Sequence, residues 1–476
     1  MKQLLVSEPA STDHPQWAHA PAGHHDRELD PSGQRPASYS RNRAPEHAAR
    51  GRQRRPPSRM MVGRSALVPF GTRSFRCQWP ADLCTAWALE METLILGWYV
   101  LVESGSVVQL TLFGALMYGG TLLSPLLGTW GDRVGLRRVL AGMRATYALL
   151  AGVILLLVVS GRLDPSGVLA VAFFVGLIKP SDIGLRTALV SATVPPAHLV
   201  AAMGISRTTQ DSARIGGALA GAGFMASLGM ASAYAVIVAL YVVGMVLTLR
   251  SGGARTVAAS PTPLPRLESP WRDLLEGLQH VWHTPRLRAA MLLAALVNLC
   301  AFPLSGGLMP YIARDVFGLD QQGLGWLVAS FATGALLGSL GVSVFGVHLR
   351  PARTMLMACV AWYLSLLGLA LPIGAGVAMT LYVAAGLSQS LSMVALSIIL
   401  LRTSHERFRG RVMGARMLAI YTLPIGLLAA GPIVAAIGFQ GLVLLYVGLG
   451  LSLVACIAHV WQDDLLRRSA PANALQ

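Results

Sequence analysis

Long apolar runs dominate the chain from Trp79 onward, and short polar connectors separate them. A helical run of about 20 apolar residues spans the hydrocarbon core of a bilayer, which is about 30 Å thick. The pattern predicts twelve such runs, at about residues 80–102, 107–128, 138–160, 167–190, 200–226, 231–249, 288–311, 322–345, 354–372, 375–401, 412–436 and 440–461. Because a lipid-exposed backbone must satisfy its own hydrogen bonds, we expect an all-α membrane protein with twelve transmembrane helices.

The composition agrees with a lipid environment. Of the 476 residues, 54% are hydrophobic and 13% are charged, whereas a soluble domain carries about 25% charged residues. The net charge of +16 is divided between the amino-terminal tail and the connectors, so nucleic acid is not predicted as a partner. The five cysteines form no CxxC pair, and we expect them to be small packing residues rather than metal ligands or disulfides.

Arginines indicate how the chain crosses the membrane. They concentrate in the second, sixth, eighth and tenth connectors, whereas the fourth connector is neutral and the odd-numbered connectors are nearly free of positive charge. Because basic connectors stay in the cytoplasm, both termini are predicted to be cytoplasmic. The apolar runs then fall into six-helix bundles at 77–250 and 288–463, with a cytoplasmic linker at 251–287 between them and a cytoplasmic tail at 464–476.

Residues 1–76 contain 13 Lys plus Arg against 6 Asp plus Glu, together with many Pro, His and Ser. Without a periodic apolar pattern they cannot bury enough surface to offset the entropy of ordering. We therefore expect a disordered, basic cytoplasmic tail. Its cluster Arg50–Arg55 is either solvated or a binding site for RNA or anionic lipid, and translation starting at Met60 or Met61 would remove most of the tail.

An internal repeat supports the division into two bundles. Three dipeptides recur at a constant offset of 210 positions: Gly176-Leu177 with Gly386-Leu387, Met203-Gly204 with Met413-Gly414, and Ile215-Gly216 with Ile425-Gly426. A constant offset across matching helical segments indicates parallel six-helix repeats.

The linker contains a second kind of helix. Ser269-Pro270 reads as an N-cap followed by the first helical residue, and one face then carries apolar side chains: Trp271, Leu274, Leu275, Leu278, Val281 and Trp282. The segment is too short to span the bilayer. It predicts an amphipathic helix at the cytoplasmic surface, with its apolar face either against lipid or against the helical bundle.

The second connector carries a motif, which we call the hinge (residues 128–138). Its pattern is a glycine, three variable residues, Asp-Arg, one variable residue, a second glycine and basic residues, provided here by Gly128, Asp132, Arg133, Gly135, Arg137 and Arg138. The hinge resembles the motif between the second and third helices of major facilitator superfamily transporters, although Leu136 replaces a usual basic residue. The resemblance implies two six-helix bundles and a conformational latch at Asp132. A simple cytoplasmic turn needs only the arginines and a glycine.

Two further segments resemble exporters of that family. Arg407 and Arg409-Gly410-Arg411, before the eleventh helix, are similar to a loop of the branch that contains drug and siderophore efflux proteins. The stretch from Gly216 to Gly221 resembles the glycine-rich segment of antiporters, with Gly217 and Ala220 departing from it. Close packing of helices explains the same small residues.

Charged residues inside the predicted helices are candidates for coupling, because such charges are costly in a membrane and face a cavity or a partner. Glu90 and Glu92 lie about 200° apart around the first helix and cannot face the same way. Since burial favours the uncharged form of a carboxyl group, one of them is predicted to respond to protons, and permanent salt bridges are the alternative. In the fourth helix, Lys179, Asp182 and Arg186 form one stripe, which either neutralises these acids or lines a passage for an anionic substrate.

A second charged group lies near the cytoplasmic end of the fifth helix, where Arg207, Asp211 and Arg214 share one face. We predict that Asp132 and Asp211 exchange partners among these arginines and Arg133 during transport. In the second half, Asn298 and Gln389 are predicted to line the substrate cavity, because Gln389 corresponds to Lys179 under the repeat offset.

Together these features predict a secondary transporter that exports a small molecule by alternating access and is coupled to protons. It is expected to act as a monomer in the lipid bilayer and to need no cofactor. The alternatives are a membrane sensor that keeps the fold without transport and an uptake carrier for a small metabolite. An enzyme is not predicted, because the sequence has no H-E-x-x-H or G-x-S-x-G motif and no G-x-x-x-x-G-K-[ST] loop for ATP.

Overall fold

The computed structural model describes residues 68–120, 134–252, 270–345, 350–404, 412, 416 and 419–461. Within these ranges every regular element is helical. Nine helices of this described part are long and apolar enough to cross a membrane. The prediction of an all-helical membrane protein is therefore confirmed.

The helices are labelled here in chain order. They are α1 (Arg73–Ser104), α2 (Val107–Leu116), α3 (Leu136–Val159), α4 (Pro165–Thr193), α5 (Pro196–Arg250), α6 (Pro270–His283), α7 (Pro285–Leu296), α8 (Gln321–Phe345), α9 (Pro351–Leu367), α10 (Ala375–Thr403) and α11 (Thr422–Val460). We call α1–α5 the amino-terminal half and α7–α11 the carboxy-terminal half.

Two of these helices are each divided by a glycine in a left-handed backbone conformation. Gly229 in α5 has φ 78° and ψ 173°, and Gly438 in α11 has φ 75° and ψ 173°. A side chain is strained at such angles, so glycine is the residue that permits the break. The two breaks fall between predicted spans, 209 positions apart (438 − 229), and thus follow the offset of the sequence repeat.

The repeated glycines Gly176 and Gly386 allow helices to cross closely in each half. A Cβ atom on Gly176 in α4 would lie 1.9 Å from the carbonyl oxygen of Leu116 in α2, and one on Gly386 in α10 would lie 1.9 Å from that of Phe331 in α8. No larger residue fits at either crossing. The repeat seen in the sequence therefore corresponds to the same helix contact made once in each half.

The first helix begins earlier than the sequence suggested. A 3-10 turn at Val68–Gly71 precedes α1, which starts at Arg73, so helical structure begins a few residues before residue 76, where the tail is expected to end. Phe70 packs edge-on against Phe75 and Trp79, with ring centroids 5.1 and 5.3 Å apart. These aromatic contacts hold a segment whose composition is polar, and they could not be read from local hydropathy.

The helix α7 continues into three π-helical segments, Val297–Ala301, Pro303–Gly307 and Ile312–Val316. A π turn leaves carbonyl oxygens displaced from regular partners, and such turns are frequent at functional sites. Neighbouring helices supply donors to this region: Tyr363 Oη to Leu296 O at 3.0 Å, Tyr382 Oη to Leu304 O at 3.0 Å, and Thr422 Oγ1 to Ala295 O at 2.7 Å. The irregular backbone is therefore stabilised by α9, α10 and α11.

The two halves meet along α5 with α8 and along α2 with α11. Where α5 crosses α8, a Cβ atom on Gly325 would lie 2.6 Å from Ala222 Cβ. At the end of α1, Leu101 O accepts a hydrogen bond of 3.0 Å from Arg314 Nη1, which follows α7. This bond joins the halves at the end of α1 farthest from Arg73.

The amphipathic linker helix is present as α6. Its Val281 is buried, whereas Leu275 and Trp282 are exposed. The Trp282 ring lies 5.9 Å from the guanidinium carbon of Arg288, which begins the next helix. Val281 therefore packs on the bundle, whereas Leu275 and Trp282 of the same face are open. Residues 253–269 of the linker lie outside the described residues.

Candidate functional site

Besides Glu103 at its end, α1 carries three acids that divide between two environments. Asp82 is 8% exposed and Glu92 is 1% exposed, whereas the side chain of Glu90 is 33% exposed. Ten positions of an α-helix separate Asp82 from Glu92 by about 15 Å. The helix thus carries one buried acid near its amino-terminal end, a second buried acid in its middle, and an accessible acid beside the second.

Asp82 forms a buried ion pair with Arg144 of α3. Arg144 is 0% exposed, and it also donates to Gly244 O at 3.2 Å and to Thr248 Oγ1, both in α5. Its partners therefore come from α1 and α5. Because a buried charge without a partner is strongly destabilising, this arginine couples the positions of three helices.

A second ion pair lies beside the first. In α4, Arg186 Nη2 is 3.0 Å from Asp182 Oδ2, and both side chains are buried. Asp82 is within electrostatic range of both residues, and Gln78 Nε2 donates to Arg186 O at 3.2 Å. The two acids and two arginines balance in charge. We call Asp82, Arg144, Asp182 and Arg186 the buried charge cluster.

A small cleft reaches this cluster from outside. Asp82 and Arg186 belong to its lining. Trp79 Nε1 donates to Thr209 Oγ1 at 2.8 Å across the same cleft, which joins α1 to α5. The cleft gives water or a small ion a path to the charges without crossing the apolar core.

Glu92 is surrounded by tyrosines. Tyr241 Oη donates to Glu92 Oε2 at 2.7 Å, whereas Glu92 Oε1 has no hydrogen-bond partner within the described part of the chain. Tyr234 and Tyr147 are within electrostatic range, and the Tyr147 ring lies 5.4 Å from that of Tyr241. Glu92 therefore has one oxygen available for a proton in an environment without solvent.

Tyr147 connects the two buried regions. Its hydroxyl is within electrostatic range of Glu92 and also of Arg144, Asp182 and Arg186. It lies three positions after Arg144 on α3, and residues at this spacing share a helix face. Tyr147 is thus within electrostatic range of both buried regions, and its hydroxyl has no hydrogen-bond partner in the described part of the chain.

Only two of the three residues in the predicted stripe on α4 contact each other. Asp182 and Arg186 pair with each other, as described, while Lys179 Nζ lies 5.4 Å from the centre of the Tyr118 ring. Lys179 is within electrostatic range of Glu92 but forms no ion pair with either predicted acid of α1 within the described residues. Glu90 lies instead 3.6 Å from Arg214 Nε in α5.

The residues predicted to form a gate on α5 have partners in different parts of the structure. Arg207 Nε is 3.2 Å from Asp211 Oδ2, and Asp211 also accepts a hydrogen bond of 3.4 Å from Ser339 of α8. Arg214 points to Glu90. Asp211 thus lies at a contact between the halves, whereas Arg214 binds within the amino-terminal half.

Three of the six motif residues of the hinge belong to the described part of the chain. Gly135 has φ 102°, Arg137 Nη1 donates to Ser251 O at 2.9 Å, and Arg138 is exposed. Gly128, Asp132 and Arg133 lie outside the described residues. The predicted exchange of partners by Asp132 therefore stays a prediction.

The candidates of the carboxy-terminal half are both buried. Asn298 Nδ2 donates to Ala294 O of its own helix at 2.8 Å, where the first π segment begins. Gln389 is buried, and its Oε1 has no hydrogen-bond partner among the described residues. The amide oxygen of Gln389 is therefore free to accept a bond, whereas Asn298 is engaged in the irregular backbone of α7.

Asp82 and Arg144 are the residues that the sequence reading missed. Each is a charged residue inside a predicted span, and this position alone could have marked it as a candidate. Their pairing was not visible, because 62 positions separate them (144 − 82) and they meet only after α1 and α3 pack.

Comparison with known proteins agrees with this architecture. The family model described as Major Facilitator Superfamily matches residues 83–423. The crystal structure of the nucleoside transporter NupG superposes with a TM-score of 0.63 over 82% of this chain and 99% of that chain, at 15% identity. At this identity the likeness concerns the fold.

Curated relatives match over a shorter range. The multidrug efflux pump Tap of Mycolicibacterium fortuitum is 27% identical over 184 residues, which is 38% of this chain and 44% of that protein. Tap of Mycobacterium tuberculosis (strain ATCC 25618 / H37Rv) is 29% identical over 170 residues, or 35% and 40%. The matched segments span less than half of these relatives. The family match, which covers most of the chain, and the shared fold show that this multi-pass membrane protein belongs to the major facilitator superfamily of transporters.

Proposed function

We propose that the protein is a proton-coupled exporter of small molecules in a bacterial cell membrane, and that Glu92 carries the proton. The observation that carries the proposal is the environment of Glu92, a buried carboxyl with one oxygen bonded to Tyr241 and one without a partner in the described part. A carboxylate is costly in a dry interior, whereas a protonated carboxyl is tolerated there. Gain or loss of one proton therefore changes the relative stability of transporter conformations.

The proposed architecture is twelve transmembrane helices in two bundles of six. The count follows from the nine long helices, the division of α5 and α11 at Gly229 and Gly438, and the short apolar α2. The close crossings at Gly176 and Gly386 support a duplicated bundle. Two such bundles can tilt about a site at the membrane midplane.

With both termini in the cytoplasm, the cleft beside Asp82 opens toward the cytoplasm, and the Arg314–Leu101 bond lies at the outer face. The halves are then in contact at the outer side, through α1 with the segment after α7 and through α5 with α8. Export requires these outer contacts to break while the cytoplasmic side closes. We assign Asp132 in the hinge and Asp211 to that cytoplasmic closure.

Export rather than uptake is supported by the Tap relatives, which are named multidrug efflux pumps. Proton coupling is supported by Tyr147, which is within electrostatic range of both Glu92 and the buried charge cluster. Release of a proton toward the cytoplasm would use Tyr147 and the buried charge cluster, two of whose members line the cleft.

Inside-out bacterial membrane vesicles that contain the protein test the proposal. Their lumen is acidified by respiration, and uptake of fluorescein, rhodamine 6G and ethidium is followed by fluorescence. An exporter moves dye into the lumen in exchange for protons. We expect gradient-driven uptake of at least one dye in wild type, and loss of its dependence on the gradient in Glu92→Gln.

Glu103→Gln is the matched control, because Glu103 is an exposed acid at the end of the same helix. It should behave like wild type. Gradient-driven uptake that persists in Glu92→Gln would refute the role of this carboxyl. Absence of transport with every dye would favour a sensor, and movement out of the lumen would favour an uptake carrier.

A further inference from the structure

Two half-buried cations, one in each half, form no salt bridge with an acid among the described residues. Lys179 of α4 lies over the Tyr118 ring at 5.4 Å, and Arg416, which precedes α11, donates to Ser397 Oγ of α10 at 2.9 Å. Elsewhere in the amino-terminal half, four arginines pair with acids, and of these Arg207 is exposed: Arg144 with Asp82, Arg186 with Asp182, Arg207 with Asp211, and Arg214 with Glu90. Lys179 and Arg416 therefore differ from the arginines that hold the fold together.

Electrostatic contacts connect these two cations around the space between the halves. Arg214 is within electrostatic range of Tyr118 and Asp211, and Arg416 is within range of Arg207. The series begins at Lys179, crosses α5 and ends at Arg416 in the other half. Its four cations face three acids, Glu90, Asp211 and Glu92, so it carries an excess of one positive charge, which becomes two when Glu92 is protonated as proposed.

An apolar surface lies beside this positive charge. Tyr118, which packs under Lys179, also contacts a cluster formed by Ala115, Leu423 and Leu427, together with Phe302. This cluster includes residues of α2, α11 and the segment after α7, so both halves contribute to it. A charged group and an apolar body could thus be bound side by side.

We propose that the central site binds an amphiphilic organic anion, with Lys179 and Arg416 contacting its carboxylate or sulfonate group and Tyr118 and Phe302 contacting its apolar body. The inference rests on the proposed function for the position of the site, and it adds the chemical class of the cargo. Cations in a low-dielectric interior are costly without a counter-charge, and an anionic ligand supplies one. Charge-assisted hydrogen bonds to lysine and arginine would then give affinity and selectivity.

Binding of two dyes with the same ring system and opposite charge tests the inference. Fluorescein is an anion and rhodamine 6G is a cation, and both contain a xanthene ring. Purified protein in lipid nanodiscs is titrated against each dye and binding is read by fluorescence anisotropy. We expect wild type to bind fluorescein more tightly, and each of Lys179→Gln and Arg416→Gln to weaken fluorescein binding about tenfold without weakening rhodamine 6G binding.

Two further variants separate binding from folding. Arg162→Gln removes the same charge from an exposed connector and should leave both affinities unchanged, and Lys179→Arg keeps the charge and should keep the preference for fluorescein. Rhodamine 6G binding shows that each variant is folded. Equal affinity of wild type for the two dyes, or an unchanged ratio of affinities in the double variant Lys179→Gln/Arg416→Gln, would overturn the inference.

The measurement uses no pH gradient, so it does not depend on transport. A preference for fluorescein that disappears in the double variant, without dye uptake in vesicles, would support the anion site and refute export. Uptake of dye in vesicles without a charge preference in nanodiscs would support export and refute the anion site.

Discussion

Replacing Asp82 by asparagine should destabilise the protein strongly, because it leaves a buried charge without a counter-charge. Arg144 is 0% exposed, and Asp82 is the acid with which it forms an ion pair. Breaking a buried pair by removing one partner costs about 3–5 kcal/mol. The remaining bonds from Arg144 to Gly244 O and Thr248 Oγ1 cannot neutralise its charge.

Removing the arginine of the pair instead of the acid should lower the free energy of unfolding by less. In Arg144→Met, the Asp82 carboxylate still borders the cleft and remains within electrostatic range of Arg186, so we expect a loss of about 1–3 kcal/mol. The double variant Asp82→Asn/Arg144→Met removes both charges, and an apolar replacement of a buried pair is often close to neutral. Because the double variant should lose little while the single losses sum to about 4–8 kcal/mol, the two substitutions should be coupled by an energy of that size.

Equilibrium unfolding in mixed micelles of dodecylmaltoside and sodium dodecyl sulfate, followed by tryptophan fluorescence, measures these free energies. Asp315→Asn is the control, since Asp315 is an exposed acid after α7. If Asp82→Asn lowered the free energy of unfolding no more than this control, or if the double variant lost the sum of both single losses, the ion pair would not hold α1 to α3 as described.

Three other substitutions test the fold around the site. Tyr382→Phe removes the donor to Leu304 O and should lower the free energy of unfolding by about 1–2 kcal/mol, measured in the same micelles; an unchanged value would mean that the π segment needs no support there. Arg314→Gln breaks the bond to Leu101 O across the halves and should increase labelling by an impermeant thiol reagent of a cysteine placed at position 101, whereas equal labelling would argue against a closed outer side. Gly386→Val places side-chain atoms against the α8 backbone and should abolish the peak of folded protein in size-exclusion chromatography, whereas a normal peak would contradict the close crossing.

Much of the membrane architecture could be predicted from the sequence, because the length of an apolar run and the position of glycine are local properties. The breaks at Gly229 and Gly438 fall between the runs predicted on each side. The spacing of Glu90 and Glu92 indicated different environments, and the structure places one at 33% exposure and the other at 1%.

The pairing of charges could not be predicted, because it depends on which helix faces which. Arg214 was expected to exchange partners with other residues of the cytoplasmic face, yet it lies beside Glu90 of α1. Arg144 finds Asp82 across 62 positions of chain. The early start of α1 was missed for the same reason, since Phe70, Phe75 and Trp79 stabilise it through contacts with one another.

The most direct test of alternating access is a disulfide that keeps α5 and α8 together where they cross at Ala222 and Gly325. A Cβ atom added to Gly325 would lie 2.6 Å from Ala222 Cβ, so a small separation of the helices reaches the 3.5–4.5 Å that a disulfide requires. In the variant Ala222→Cys/Gly325→Cys, oxidation should stop dye transport in vesicles and reduction should restore it, while wild type under the same oxidant keeps its rate. Transport at an unchanged rate in the cross-linked protein would contradict the account.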